Sequence, residues 1–313
     1  MDLSVINDFS RWIKLASKTL NNVFPTFLLR IGLKKECVVK TKTIGNFNVK
    51  NNFLKVELIS QIMRFQYYAL NNDVSKDTVN SFRELMTSLC DDKDFIEFDG
   101  VKYWKSNLIT VLCEPLFEEG NIIFDNMENS VVIDVGANIG DTALYFANQG
   151  CEVYAFEAVP DIYEMAIKNV ELNPSLSKKI HIFNKAVSDK NETIQISYSG
   201  LSSSRYVDGA KKYDIEAISL NHIINELKKR DITPTLLQMD CEGSEFDIIP
   251  NSDFSMFKEL SIEYHSVYRG INKDVLLDSL KDQGFEIKGI YKAPGTDIKL
   301  EDIGIIHAIN KNK

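Results

Sequence analysis

With 313 residues, 44% of them hydrophobic, the chain is long enough for one large domain or two modest ones with a sizeable core. Its formal charge of −9 argues against a broad basic footprint for nucleic acid and favours a small or neutral partner. No run approaches the roughly 18 consecutive apolar residues of a membrane span, and the first residues lack the basic start and apolar centre of a signal peptide, so the expected location is cytoplasmic.

Cys37, Cys90, Cys113, Cys151 and Cys241 form no C-x-x-C pair, and His181, His222, His265 and His307 show no ligand spacing. Neither a disulfide framework nor a metal is expected from these residues. In chain order, Ile6, Phe9, Ile13, Ala16, Leu20 and Val23 recur at steps of three and four and predict one helix over residues 3–24, ended by Pro25. Such a helix packs on its own domain or on a partner subunit, which makes a homo-oligomer through the N-terminal helices one option. Residues 37–50 predict a hairpin around Gly45-Asn46, residues 55–70 and 76–89 two helices, and residues 95–104 a hairpin across Asp99-Gly100. Residues 1–108 are therefore expected to form a mostly helical accessory region, followed by a second domain over 109–313.

From Val131 onward strands and helices alternate, the pattern of a parallel sheet with helices on both faces. VVIDVGANIGD (Val131 to Asp141) reads as a buried strand, a tight loop framed by Gly136 and Gly140, and a helix start. Glycine there removes the Cβ where a ligand must approach the backbone, and the helix start offers N–H donors. EVYAFE predicts the second strand, KIHIFN the third, TLLQMD the fourth and ELSIEY the fifth, with a further short strand over 193–198. Helices are predicted over 161–172, 220–229 and 272–283, the last with Asn272 as its cap. Gly200 to Lys212 is polar and suits a loop over a site. Two late strands, 285–291 and 303–309, have no helix between them and must be antiparallel.

Ligands of open α/β sheets bind at the carboxyl ends of the strands, where Asp134, Glu157, Asn184, Asp240 to Gly243 and Glu263 to His265 all fall. Glu157 follows Asp134 by twenty-three residues and is placed to accept both ribose hydroxyls of a nucleoside. The loop order Gly136-Ala137-Asn138-Ile139-Gly140 lacks the middle glycine of a dinucleotide fingerprint. Asp240, Glu242 and His265 are the candidates for proton transfer from a hydroxyl, with Glu242 alternatively a cap for the next helix. Cys241 reads as a small buried filler, and His181 and His307 as structural.

Taken together, VIDVGANIGD, AFEAVP (155–160), NKAVSD (184–189), MDCEGSE (239–245) and IEYH (262–265) resemble the FkbM family of S-adenosylmethionine-dependent methyltransferases. The resemblance runs from about Val131 to Tyr264. It implies a Rossmann-like class I methyltransferase fold, α/β and mostly parallel with an antiparallel last strand, bound S-adenosylmethionine, and O-methylation of a sugar, glycan or other small-molecule hydroxyl. Carried over, Asp134, Gly136 and Gly140 frame the methionine part, Glu157 holds the ribose, Lys185 and Ala186 flank the adenine, and Ala137, Asn138, Asp141 and Ala158 join the cofactor site. Gln238 stands where the family commonly has Lys, and Asn221 where it commonly has Asp. Two rivals stay open: a cofactor-binding scaffold without turnover, which those departures favour, and an NAD-dependent oxidoreductase.

Overall fold

The computed structural model describes residues 12–50, 52, 54–106, 112, 124, 127–198, 203–206, 211–292 and 299–313. The chain divides into two compact units, Met1–Glu118 and Glu119–Lys313.

In the first unit the expected single helix over 3–24 is interrupted. Residues 12–19 are helical, and a second helix runs Val23–Arg30 with Pro25 in its first turn, where the missing N–H costs nothing. Leu20 breaks the run by bridging to Thr41, and the Asn22 side chain accepts from Lys40 N and donates to Val38 O. Part of the expected helix, up to residue 11, lies outside the described residues. Strands β1 (Glu36–Lys40) and β2 (Asn46–Lys50) pair antiparallel, as do β3 (Phe95–Phe98) and β4 (Val101–Trp104). Asp99 and Gly100 take φ of 50° and 76°, the conformation a two-residue hairpin turn demands. Between the hairpins lie helices Lys55–Asn71 and Lys76–Cys90. Phe65 stacks on Phe82 with ring centroids 4.0 Å apart, and Phe47 meets Phe82 edge-on.

The second unit is built on β5 (Val131–Val135), β6 (Glu152–Phe156) and β7 (Ile180–Phe183). A small side sheet follows, from β8 (Ala186–Ser188), β9 (Glu192–Tyr198), β10 (Ser203–Ser204) and β11 (Lys211–Ser219). The main sheet resumes with β12 (Leu236–Asp240), β13 (Glu259–His265), β14 (Phe285–Tyr291) and β15 (Ile303–Asn310). Its seven strands lie in the order β14-β15-β13-β12-β5-β6-β7. β15 alone runs antiparallel, inserted between β13 and β14. This is the Rossmann-like arrangement with a reversed last strand. The chain steps outward from β5 to β7, then returns to the other side of β5 as β12. The switch in strand order, where such folds open a crevice, therefore falls between the carboxyl ends of β5 and β12.

Strand β11 is unexpected. Its buried face amounts to little more than Ile215 and Ala217, so its charged residues read as loop; it pairs antiparallel with β9 and parallel with β8. Of the expected loop over 200–212, only residues 203–206, 211 and 212 are among the described residues. The late helix spans Asp274–Asp282 with Lys273 at its boundary, and Asn272 Oδ1 accepts from Asp274 N at 2.9 Å, the capping bond expected of it. Below the sheet, Leu220, Ile223, Ile224 and Leu227 of helix Leu220–Lys228 join Ile133, Met239, Phe254 and Phe257 in one buried cluster. Among the described residues no helix is long and apolar enough to cross a membrane.

Candidate active site

Where β5 ends, Gly136 and Ala137 turn their N–H groups onto Phe156 O at the end of β6. Gly136 sits at φ 85°, and a Cβ there would lie 1.8 Å from the carbonyl oxygen of Asp240. The missing side chain thus makes room for backbone of β12 beside the pocket that Gly136 lines. Gly140, in the left-handed region, precedes helix Asp141–Asn148, and Asn169 Nδ2 ties the loop down through Ile139 O.

Glu157 is buried just past β6. One carboxylate oxygen accepts from Asn138 N at 3.0 Å and the other from Val159 N at 2.7 Å. Asn184 braces the same turn by donating to the carbonyls of Glu157 and Ala158. Burial pushes the Glu157 carboxyl up to about 7, with the charges of Asp240 and Asp134 adding to it and the two N–H donors opposing. Asp134 is fully buried, accepts from the Thr142 hydroxyl at 2.7 Å, and is likewise raised to about 7 by burial. Burial brings Asp141 to about 6. One oxygen each of Asp134 and Asp141 is buried without a hydrogen-bond partner.

One pocket gathers several of the expected residues. Gly136, Glu157, Ala158, Lys185 and Ala186 line it together with Asp240 and Glu242. Asp134, Ala137, Asn138, Gly140 and Asp141 are not on its wall. Sequence reasoning missed Phe156, Val187, Ile194 and Ile196, which line the pocket with Val135, Cys241, Ser244 and Arg205. The alternating Ile194 and Ile196 of TIQIS were a readable signal, because one face of a half-buried strand offers an apolar wall. Arg205 gave none.

His265 ends β13 beside the pocket and is 4% exposed. Buried Glu245 accepts from its backbone N at 2.8 Å and pairs with its Nδ1 at 2.9 Å. Its Nε2 faces Glu242 at 3.3 Å, Glu263 at 3.7 Å and Asp240 at 4.0 Å. The Tyr268 ring stacks on the imidazole. Burial works against a charged imidazole here, but the bond to Glu245 and the charges of Asp240 and Glu242 outweigh it and raise His265 to about 10. Glu242 rises to about 7, from burial first and then the charge of Asp240. It does not cap the next helix, whose cap position is held by Ser244. Cys241, expected as a buried filler, is instead half-buried on the pocket lining, its thiol donating to Glu245 and pushed well up by burial. His181 and His307 are tied to Glu152 and Glu259.

Beside Asp240-Cys241-Glu242, Arg269 forms a two-pronged pair with Asp247 at 2.8 and 2.9 Å and donates to Gly243 O. The same guanidinium lies 4.2 Å from the Tyr206 ring centroid, and the Tyr206 hydroxyl bonds Asp247. The segment 203–206 is thereby fixed to the loop that carries the acids.

Comparison with known proteins gives a family match over residues 134–287, to the Methyltransferase FkbM domain. Among curated proteins, a tRNA (guanine(37)-N(1))-methyltransferase of Ciona intestinalis is 38% identical over 100 residues, 32% of this chain and 19% of that protein. Its namesake of Macaca mulatta is 26% identical over 176 residues, 49% of this chain and 33% of that protein. The chain thus spans about a fifth to a third of these relatives. Among solved structures, Methyltransferase FkbM from Methylobacillus flagellatus KT aligns at 14% identity over 82% of this chain and 61% of that one, with a TM-score of 0.41. A fibrillarin pre-rRNA processing protein of Methanococcus jannaschii aligns at 13% over 71% and 84%, with a TM-score of 0.43.

Proposed function

Since residues 134–287 carry a methyltransferase FkbM domain, whose methyl donor is S-adenosylmethionine, we propose that the protein methylates a hydroxyl oxygen of a sugar, glycan or other small molecule. The observation that carries this reading is the pocket at the switch point, which joins Glu157 and apolar walls to Asp240 and Glu242 in one space.

The residues fit the donor. Glu157, Asp240 and Glu242 put three carboxylates on the pocket wall, which a ligand with a sulfonium and an ammonium complements. Glu157, with both oxygens already aligned by backbone N–H groups, keeps lone pairs for ribose hydroxyls. Phe156, Val187, Ile194 and Ile196 offer the apolar slot an adenine needs. When bound, the donor supplies an already activated methyl group, so what remains for the chain is to position the acceptor and take its proton. Asp240, Glu242 and His265 stand together at that side of the pocket. We assign residues 1–108 an accessory role.

The named activity of the curated relatives, methylation of a tRNA guanine, is less well supported. A chain of net charge −9 disfavours a polyphosphate acceptor. Calorimetric titration with S-adenosylmethionine, S-adenosylhomocysteine and NAD is the first test, followed by mass spectrometry of a panel of sugars, polyols and a tRNA transcript incubated with the donor. Binding of the first two and a methyl ether on a small hydroxyl compound is the expected result. Methylation of the tRNA alone, binding of NAD alone, or cofactor binding with no product from any acceptor overturns it.

A further inference from the structure

We propose that Asp240, Glu242 and His265 form a site for one divalent transition-metal ion such as Mn²⁺ or Zn²⁺, open toward the pocket. The inference rests on the methyltransferase reading for its purpose and on geometry for its existence. One potential ligand atom from each of the three residues lies within 4.8 Å of the other two. His265 Nε2 stands 3.3 Å from a Glu242 oxygen and 4.0 Å from an Asp240 oxygen. An octahedral ion with bonds of about 2.1 Å holds neighbouring ligands roughly 3 Å apart, so the three atoms need to close by at most about 2 Å.

Two further observations point to a ligand rather than to a chance gathering of acids. The first is the imidazole itself, more than nine-tenths buried and held from behind. Glu245, fully buried, takes Nδ1 and the His265 backbone N–H with one oxygen, which leaves Nε2 aimed at Asp240 and Glu242. A carboxylate behind a histidine is the support that metal-ligating histidines regularly have. The second is the Asp240 Oδ1 atom, which is buried against His265 and has no hydrogen-bond partner while its side chain as a whole is 42% exposed. Charge argues the same way: four carboxylates, Asp240, Glu242, Glu245 and Glu263, surround one imidazole that can carry a single positive charge.

The donor set selects the ion. An imidazole nitrogen favours manganese, iron, cobalt or zinc over magnesium and calcium, which prefer oxygen alone. Because Asp240 and Glu242 line the pocket and His265 stands behind them, the unfilled coordination positions face the place where an acceptor hydroxyl must lie. An oxygen bound there is acidified, and its proton leaves to solvent more readily. Filling the site likewise frees the proton from Nε2.

The test is titration of the chelator-treated full chain with MnCl2, followed by calorimetry and by the electron paramagnetic resonance signal of free Mn²⁺, with a parallel S-adenosylhomocysteine titration. One ion per chain is expected, with affinity lowered about tenfold or more in Asp240→Asn and in Glu242→Gln. Each of these removes one of several crowded like charges, so the variants should fold, and thermal melts verify it. Absence of saturable binding of both Mn²⁺ and Zn²⁺, or binding equally tight in both variants, overturns the site. S-adenosylhomocysteine binding without metal binding leaves the methyltransferase reading standing while removing this one. Metal binding without S-adenosylhomocysteine does the reverse.

Discussion

Glu157 serves structure and ligand with one carboxylate, because its two oxygens hold the N–H groups of Asn138 and Val159 while its side chain lines the pocket. Glu157→Gln has only one acceptor oxygen for both duties. Affinity for S-adenosylhomocysteine should fall by about 1.5–3 kcal/mol, read by calorimetry, and unchanged affinity would remove Glu157 from the site. Gly136 is constrained differently. Gly136→Ala combines a left-handed backbone with a Cβ placed 1.8 Å from Asp240 O and should cost about 2–4 kcal/mol in urea unfolding. At this scale the sequence was legible where a residue's place follows from a strand end, as for Asp134, Glu157, Asp240, Glu242 and His265. Glu245 was not. Its contact with His265 crosses twenty residues of chain, and only the finished sheet reveals it.

Elements divide by how much of their pattern is local. The Asp99-Gly100 hairpin and the reversed β15 could be read ahead, one from turn chemistry and the other from a connection too short for a crossover. Strand β11 could not, because its apolar face is thin and its partners β8 and β9 supply the stability that its own composition lacks. The helix after it illustrates a local signal. Ser219 ends β11 and also caps helix Leu220–Lys228, its hydroxyl accepting from His222 N at 3.2 Å. Ser219→Ala should destabilise the chain by about 1 kcal/mol in urea unfolding, with cofactor affinity unchanged; a loss near zero would mean that strand pairing alone starts the helix.

For the molecule as a whole, the crowded acids set the response to pH. Asp134 and Glu157 titrate near 7 and Asp141 near 6 in the folded chain, against ordinary values of 3.8 and 4.5 for Asp and Glu. The folded state therefore binds more protons than the unfolded one between pH 4 and 7. Their contribution to stability is complete below about pH 4 and is lost as pH rises through 6 to 7. Thermal melts of the cofactor-free protein should give a lower Tm at pH 8 than at pH 6, and Asp134→Asn should flatten that slope; a Tm that rises with pH would contradict the arrangement. The placement of β15 bears on how the chain assembles. β14 leaves the ribosome before the strand that must lie between it and β13, so during synthesis a gap one strand wide stays open in the sheet. β15 then acts as a keystone. Until it is seated, the edges of β13 and β14 face each other unpaired, and that wing of the molecule is the last to become resistant to aggregation and proteolysis.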